Sequence, residues 1–324
     1  MMKILRRKFL QGAASAAALP ALAQTAWALD YPTRPVHMIV GYPPGITPDI
    51  VTRLIAQSLS ERLGQQFITD NRPGASSNIA TEFVVRSPPD GYTLLTLTST
   101  NTINSTLFEK LNFDLIRDIA PVAGLLRSAN VLEVNPSVPV QTLPEFIAYC
   151  KANPGKINYA SAGSGSATNV AGELFKSMTG IDMVHVPYRS SYIPDLVAGQ
   201  VQASISPIAQ MIGFIRAGKM RALAVTGAKR SDALPGIPTV SEFVPGYEAY
   251  VWDAVGAPAN TPKEIIDKLH DAIGIALADP ATKARFADLG AEPMVMTPAE
   301  LGSYLVAETA KWAKVIKASG IKPE

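Results

Sequence analysis

The chain has 324 residues, which exceeds one ordinary core and suits two domains of about 100–200 residues each. Hydrophobic residues make up 47% and charged residues 17%, a composition that excludes a disordered chain. The 29 basic and 27 acidic residues nearly balance, which argues against a nucleic-acid-binding protein. The single cysteine, Cys150, excludes an internal disulfide framework and a cysteine-rich zinc site, and we expect it to be an inert buried thiol.

Residues 1–28 have the pattern of an export signal. A basic start precedes an alanine-rich apolar stretch and the small-x-small cleavage site Ala26-Trp27-Ala28. The apolar part falls short of the ~20 residues that span a bilayer, so the pattern indicates a cleaved signal and a periplasmic protein. The run Arg6-Arg7-Lys8-Phe9-Leu10 favours the twin-arginine route, which exports folded proteins, over the general secretory route. Cleavage would leave a net charge of −2 and no apolar run long enough to cross a membrane.

Strands and helices alternate in the first half of the mature chain. A β-branched strand at 36–40 ends at Gly41, and Thr47-Pro48-Asp49 predicts a helix with Thr47 as N-cap that Gly64 stops. A strand at 67–69, a helix at 78–86 and a strand at 92–98 follow. This rhythm predicts a parallel sheet covered by helices.

The same rhythm restarts after about residue 130. The capping box that begins at Thr142 opens a helix. Strands are then predicted at 157–160, 183–188, 201–205 and 221–226, with helices at 168–178, through 196, and at 208–216. Residues 234–246 form a long connection rich in proline and glycine. Capping patterns at Thr261 and Thr297 open two C-terminal helices that end near 278 and 319.

Four loops follow a predicted strand and precede a helix, and all are rich in glycine and hydroxyl residues. They cover residues 41–49, 71–78, 99–101 and 161–169. A helix N-terminus offers unpaired N–H groups and partial positive charge, glycine permits close approach, and hydroxyls add donors. The loops therefore predict reversible binding of an anion, with one loop in each lobe holding one end of a dicarboxylate. The alternative is that they are the ordinary capped turns of any α/β protein.

Three residues have two interpretations each. Asp49 is either a partner of the helix dipole or a catalytic acid. Arg189 either reaches a carboxylate in the cleft or forms a surface ion pair, and Trp252 belongs either to the core or to the cleft wall. The chain lacks dinucleotide, phosphate-loop, nucleophile-elbow and zinc motifs, so we expect no catalytic residue, no cofactor and no metal site.

Several short motifs together resemble one family. They are Tyr31-Pro32-x-Arg34-Pro35, Pro43-Pro44-Gly45 with Asp49, Asn71-Arg72-Pro73-Gly74-Ala75, Pro89-Asp90-Gly91-Tyr92-Thr93-Leu94, Ala171-Gly172-Glu173-Leu174-Phe175, Val186-Pro187-Tyr188 and Leu234-Pro235-x-Ile237-Pro238-Thr239. Across the mature chain the sequence is similar to the solute-binding receptors of tripartite tricarboxylate transporters, the Bordetella uptake gene family.

The resemblance implies an α/β clamshell of the type II periplasmic-binding-protein class, with two crossovers and a ligand in the cleft between two lobes. We expect residues 29–129 plus 251–324 to form the first lobe and 130–250 the second. The crossovers would lie near 128–132 and 247–252. The loops and the resemblance together give the candidate ligand-binding residues, which are Tyr42, Pro44, Gly45, Thr47, Asp49, Ser76, Ser77, Ser99, Asn101, Ser161, Gly163, Ser164, Ser166, Thr168, Asn169 and Arg189.

The resemblance also implies the function. We expect a monomeric receptor, not an enzyme, that binds a small di- or tricarboxylate or aromatic acid and delivers it to integral-membrane transporter subunits. A secreted enzyme exported in folded form and a ligand-sensing module for a signalling partner remain the alternatives. The chain departs from the family pattern at Ile46, Ser77, residues 189–195 and Ser206, which is expected to alter the size and polarity of the cleft.

Overall fold

A computed structural model describes residues 30–188 and 191–323, so the predicted signal and Arg189 lie outside the described residues. The strands are β1 (Val36–Val40), β2 (Phe67–Asn71), β3 (Thr93–Thr98), β4 (Ile119–Val134), β5 (Asn158–Ser161), β6 (Val184–Pro187), β7 (Ala203–Pro207), β8 (Arg221–Val225), β9 (Tyr250–Pro258) and β10 (Glu292–Pro293). The helices are α1 (Thr47–Leu63), α2 (Asn78–Val85), α3 (Ser99–Leu107), α4 (Leu115–Asp118), α5 (Leu143–Ala152), α6 (Ala167–Thr179), α7 (Ile193–Val197), α8 (Ile208–Arg216), α9 (Lys263–Ala278), α10 (Pro280–Asp288) and α11 (Pro298–Ser319).

Two sheets share one long strand. The strand order is β2-β1-β3-β9-β4-β7-β5-β6, with β8 and β10 also paired to β4. The first part of β4 pairs with β9 in lobe 1, and its last residues pair with β7 and β8 in lobe 2. The fold is therefore the expected two-lobed α/β clamshell. The outer strands β1, β2 and β3 are parallel to one another, as are β5, β6 and β7, whereas β4 and β9 are antiparallel.

The C-terminal helix α11 connects the two lobes. Leu301 and Leu305 near its start pack with lobe 1 residues such as Leu97. Trp312 and Ile316 near its end pack in the lobe 2 core, beside residues of β5 and β7. The helix therefore touches both cores, and the division of the chain into 29–129 plus 251–324 and 130–250 stays a prediction.

Thr226, directly after β8, forms hydrogen bonds with both segments that run between the lobes, one at Asn130 and the other at Ala249. Its hydroxyl accepts from the backbone N–H of Asn130 at 2.8 Å and donates to the backbone carbonyl of Ala249 at 2.6 Å. Backbone bonds join the same three residues. Bending between the lobes must therefore accommodate this buried contact.

Several local predictions differ from the structure at helix starts. Ile46, in an extended conformation and with no side-chain cap, precedes α1, so Thr47 as N-cap was wrong. Thr261 donates to the Pro258 carbonyl instead of capping α9, which begins at Lys263. Thr142 and Thr297 are N-caps as predicted. The capping box is complete at Thr297, whereas at the start of α5 the Glu145 carboxylate accepts from the Gln141 backbone amide and not from that of Thr142.

Candidate functional site

The loop from β1 to α1 is organised around Asp49. Its carboxylate accepts from the Gly45 amide at 2.8 Å, from Asn71 Nδ2 at 2.8 Å and from Arg53 Nε at 3.0 Å. Burial opposes ionisation of this carboxyl, but these hydrogen bonds outweigh burial and hold its pKa below the ordinary value. Asp49 is thus an anion built into the start of α1, where the helix dipole favours negative charge. This geometry supports the dipole-partner interpretation of Asp49, because its oxygens are occupied by structural donors.

A group of hydroxyls lies where β1 and β3 end, and we call Tyr42, Thr98 and Thr100 the hydroxyl cluster. Tyr42, half-buried, bonds Thr98 Oγ1 at 3.2 Å, and Thr100 is its second hydroxyl partner. Thr98 is the N-cap of α3, and Asn101 completes a capping box with it. The cluster therefore presents neutral donors at the N-terminus of a helix.

The loop formed by residues 71–78 lies against the start of the loop between β1 and α1. Ser76 and Ser77 have positive φ angles of 53° and 73°, which turn the chain sharply before α2. Ser77 Oγ sits so close to Gly41 that a side chain at Gly41 would collide with it. Among the described residues, Ser77 Oγ has no hydrogen-bond partner although the side chain is buried. Glycine at 41 thus allows the two loops to touch.

The lobe 2 loop between β5 and α6 is held by its own hydroxyls. Ser166 caps α6 by accepting from the Asn169 amide, and its hydroxyl donates to the Gly163 carbonyl at 2.7 Å. Thr168 Oγ1 accepts from the Ala162 amide at 3.1 Å. Asn169 turns inward, where its side chain bonds the Gly165 amide and the Tyr159 hydroxyl. Hydrogen bonds within the loop therefore fix its conformation in this structure.

Ser161 and His185 form a pair that resembles part of a catalytic arrangement. Ser161 Oγ lies 2.6 Å from His185 Nε2 and also bonds Gly163. Ser161 is completely buried in this structure, whereas a catalytic nucleophile must be accessible to its substrate. The pair fixes the end of β5 to the neighbouring strand β6.

The two lobes meet beside these loops. A side chain at Gly165, whose φ is +75°, would collide with Leu107 at the end of α3. Leu107 itself packs in the lobe 2 core. The β5–α6 loop therefore lies against the C-terminal end of α3, the helix whose N-terminus carries the hydroxyl cluster.

The candidate residues divide by exposure. Pro44, Gly45, Thr47 and Ser76 are exposed, whereas Tyr42, Gly163, Ser164 and Ser166 are partly buried. Asp49, Ser77, Ser99, Asn101, Ser161, Thr168 and Asn169 are buried, and several of them serve the loops' own hydrogen bonds. Residues 41–49, 71–78 and 98–101 come together in lobe 1, while 161–169 belong to lobe 2. Their role in ligand binding stays a prediction.

Two further predictions are decided by burial. Trp252 is fully buried, stacks edge-on against Tyr304 and donates to Glu308 at 3.4 Å, so it belongs to the core. Cys150 is buried and burial raises the pKa of its thiol to about 12, as expected of an unreactive thiol.

Sequence reasoning missed Asp253, which lies next to the hydroxyl cluster. It stands in β9 directly opposite Thr98, so the two side chains point to the same face of the sheet. Asp253 is 1% exposed, and neither carboxyl oxygen has a hydrogen-bond partner among the described residues. Burial raises its pKa to about 7. A lone acid inside the apolar run Val251-Trp252-Asp253-Ala254-Val255 was the available signal.

The arrangement suits binding better than catalysis. The hydroxyl cluster and the caps of α3 and α6 present neutral donors, and Arg53 of α1 is committed to Asp49 and Asn71. Within the described ranges, no group of three metal-binding side chains could hold an ion.

Comparison with known proteins decides the family. The model of the tripartite tricarboxylate transporter family receptor, TctC, matches residues 51–321. The chain belongs to this family. "Protein BugT" of Bordetella pertussis is 35% identical over 297 residues, covering 90% of this chain and 91% of that protein.

Solved structures of similar proteins share the fold. The structure described as "R. palustris Rpa4515 with adipate" has 37% identity and a TM-score of 0.77, covering 91% of this chain and all of that chain. MatC (Rpa3494) from Rhodopseudomonas palustris with bound malate has 29% identity and a TM-score of 0.74, covering 88% of this chain and all of that chain. In the described part of this family member, no helix combines the length and apolar character needed to cross a bilayer.

Proposed function

We propose that this family member is a periplasmic receptor that binds a small carboxylate between its lobes and delivers it to membrane subunits of a transporter. The observation that carries the proposal is that a hydroxyl-rich loop opens a capped helix in each lobe, at Thr98 and at Ser166, and that the lobe 2 loop packs against α3 through Gly165 and Leu107. Such loops hold an anion reversibly through neutral donors.

The ligands of solved relatives support a carboxylate. Rpa4515 was solved with adipate and MatC with malate, both dicarboxylates with an anionic group at each end. The two-lobed arrangement offers one donor loop for each end. Tyr42 and Thr100 in lobe 1 are the partly buried hydroxyls that we assign to one end of the ligand, and we assign the β5–α6 loop of lobe 2 to the other end.

Transport and periplasmic location rest on the family and on the sequence of residues 1–28. A receptor of this kind closes on its ligand by bending at its crossovers. Here β4 and the segment before β9 cross between lobes, and Thr226 keeps them in register. The buried position of Ser161 and the engagement of its hydroxyl by His185 count against its acting as a nucleophile, and so against the enzyme alternative.

A thermal-shift panel tests the proposal. Adipate, malate, citrate and benzoate should include at least one compound that raises Tm, because a ligand bound only by the folded state stabilises it. Tyr42→Phe should weaken binding of that compound about tenfold or less, the effect of one lost hydrogen bond of about 1 kcal/mol.

Tyr149→Phe is the matched control. It removes a partly buried tyrosine hydroxyl from α5 in lobe 2, away from the loops, and should leave the affinity unchanged. A panel in which sugars or neutral amino acids raise Tm and no carboxylate does would refute the proposal.

A further inference from the structure

A buried acid beside a proposed anion site is an unusual feature of this cleft. Asp253 lies in β9, in register with Thr98, the N-cap of α3. Both of its oxygens are buried without a hydrogen-bond partner among the described residues. An ionised carboxylate in that position would be uncompensated, which is costly, whereas a protonated one is tolerated.

Within residues 30–188 and 191–323, no cation compensates Asp253, and burial alone shifts its pKa. Its cross-strand neighbours are Thr98 on β3 and Leu126 on β4, neither of which carries charge. Tyr42 in the β1–α1 loop interacts electrostatically with Asp253. Burial and, to a lesser degree, this interaction raise the pKa of Tyr42, and its phenol is therefore neutral. Arg53 and Asp49 in the first turns of α1 neutralise each other.

We propose that Asp253 makes ligand binding proton-coupled, so that this receptor takes up its carboxylate together with a proton held at Asp253. The inference rests on the proposed function, because it requires an anionic ligand at the hydroxyl cluster. Two carboxyl groups that share one site cannot both ionise freely. A bound ligand carboxylate therefore holds the proton on Asp253, and Asp253 in turn decides the pH range in which the receptor binds anions.

The linkage has a definite sign. The free receptor holds the Asp253 proton with a pKa of about 7. The ligand's negative charge raises that pKa in the complex, so binding consumes a proton above pH 7 and weakens as pH rises. Below pH 6 the group is already protonated, and Asp253 no longer makes the affinity depend on pH.

Calorimetry with adipate, and with malate as a second probe, tests the inference on the unmodified receptor. Titrations at pH 7.5 in buffers of different ionisation enthalpy should show uptake of roughly half to one proton per ligand, and Kd should rise about tenfold or more between pH 6.5 and 8.5. Binding that is tight but consumes no proton would overturn the inference and leave the proposed function standing. If neither these probes nor the other panel carboxylates bind, the proposed function fails first.

Two variants locate the proton. Asp253→Asn is permanently neutral, so its adipate affinity should stay within about twofold across this range and exceed that of the unmodified receptor at pH 8.5. Glu133→Gln removes another buried acid, in lobe 2, and should retain the proton uptake. Uptake that persists in Asp253→Asn, or is lost in Glu133→Gln, would contradict the assignment to Asp253. A purely structural role for Asp253 does not produce tighter binding at alkaline pH.

Discussion

Glu133 should make the stability of lobe 2 depend on pH. It lies in the middle of the sheet, between Ser204 of β7 and Ala222 of β8, and is fully buried. Ser204 donates to Glu133 Oε1, and the chain of hydroxyls continues through Ser206 to Tyr192. Oε2 has no hydrogen-bond partner among the described residues. Burial raises the pKa of Glu133 to about 8, an effect that outweighs the hydrogen bonds from the serines.

The size of the effect follows from linkage. The folded state keeps a proton that the unfolded chain, with its ordinary carboxyl pKa of 4.5, releases. This contribution to stability is therefore complete below about pH 4.5 and is lost as pH rises towards 8. Each pH unit in this window costs about 1.4 kcal/mol, so from pH 5 to pH 8 the loss is on the order of 4 kcal/mol.

Glu133→Gln isolates this contribution, because glutamine keeps the acceptor for Ser204 and never ionises. Urea unfolding at pH 5, 6, 7 and 8 measures the free energy of unfolding of both proteins. The value for the variant minus the value for the unmodified protein should increase by about 4 kcal/mol from pH 5 to pH 8. Asp253 has the same sign of pH dependence but is present in both proteins, so it cancels in the difference. A difference that stays constant with pH would refute the burial of a protonated Glu133.

Two predictions concern the contacts between lobes. Thr226→Val should lower the free energy of unfolding in urea by about 2 kcal/mol. The substitution leaves the backbone amide of Asn130 and the backbone carbonyl of Ala249 without their hydroxyl partner. Unchanged stability would contradict that contact. Gly165→Ala should lower Tm, because it adds about 1 kcal/mol of left-handed strain to a collision with Leu107. In the double variant Gly165→Ala/Leu107→Ala, the drop in Tm should be smaller than the sum of the drops in the two single variants, because the shorter side chain removes the collision. A drop equal to that sum would argue against the collision.

The regular elements were largely predictable because each has a local signal. The β-branched run of β1 and the N-caps Thr142 and Thr297 depend on neighbouring residues alone, and they lie where expected. The interlobe strand β4 was not predicted. Pro121 and Gly124 interrupt its apolar pattern, and register shifts occur beside both of them. Its strand conformation is imposed by pairing with β9, which is distant in sequence.

The candidate site was predictable only in part, for a related reason. Glycine and hydroxyl residues after strands mark the loops, but not which hydroxyls are used inside the loop. Ser166, for example, caps its own helix. Nothing local to Asp253 indicates that β9 aligns it with Thr98, since strand register is a property of the folded sheet.

A crystal structure of the receptor soaked or grown with adipate tests the central claim most directly. We predict the ligand between the lobes, with one carboxylate at the hydroxyl cluster of Tyr42, Thr98 and Thr100. The other carboxylate should lie at the β5–α6 loop, bound by backbone amides and hydroxyls. Adipate bound away from both loops, or found nowhere in crystals of a protein that binds it in solution, would contradict the account.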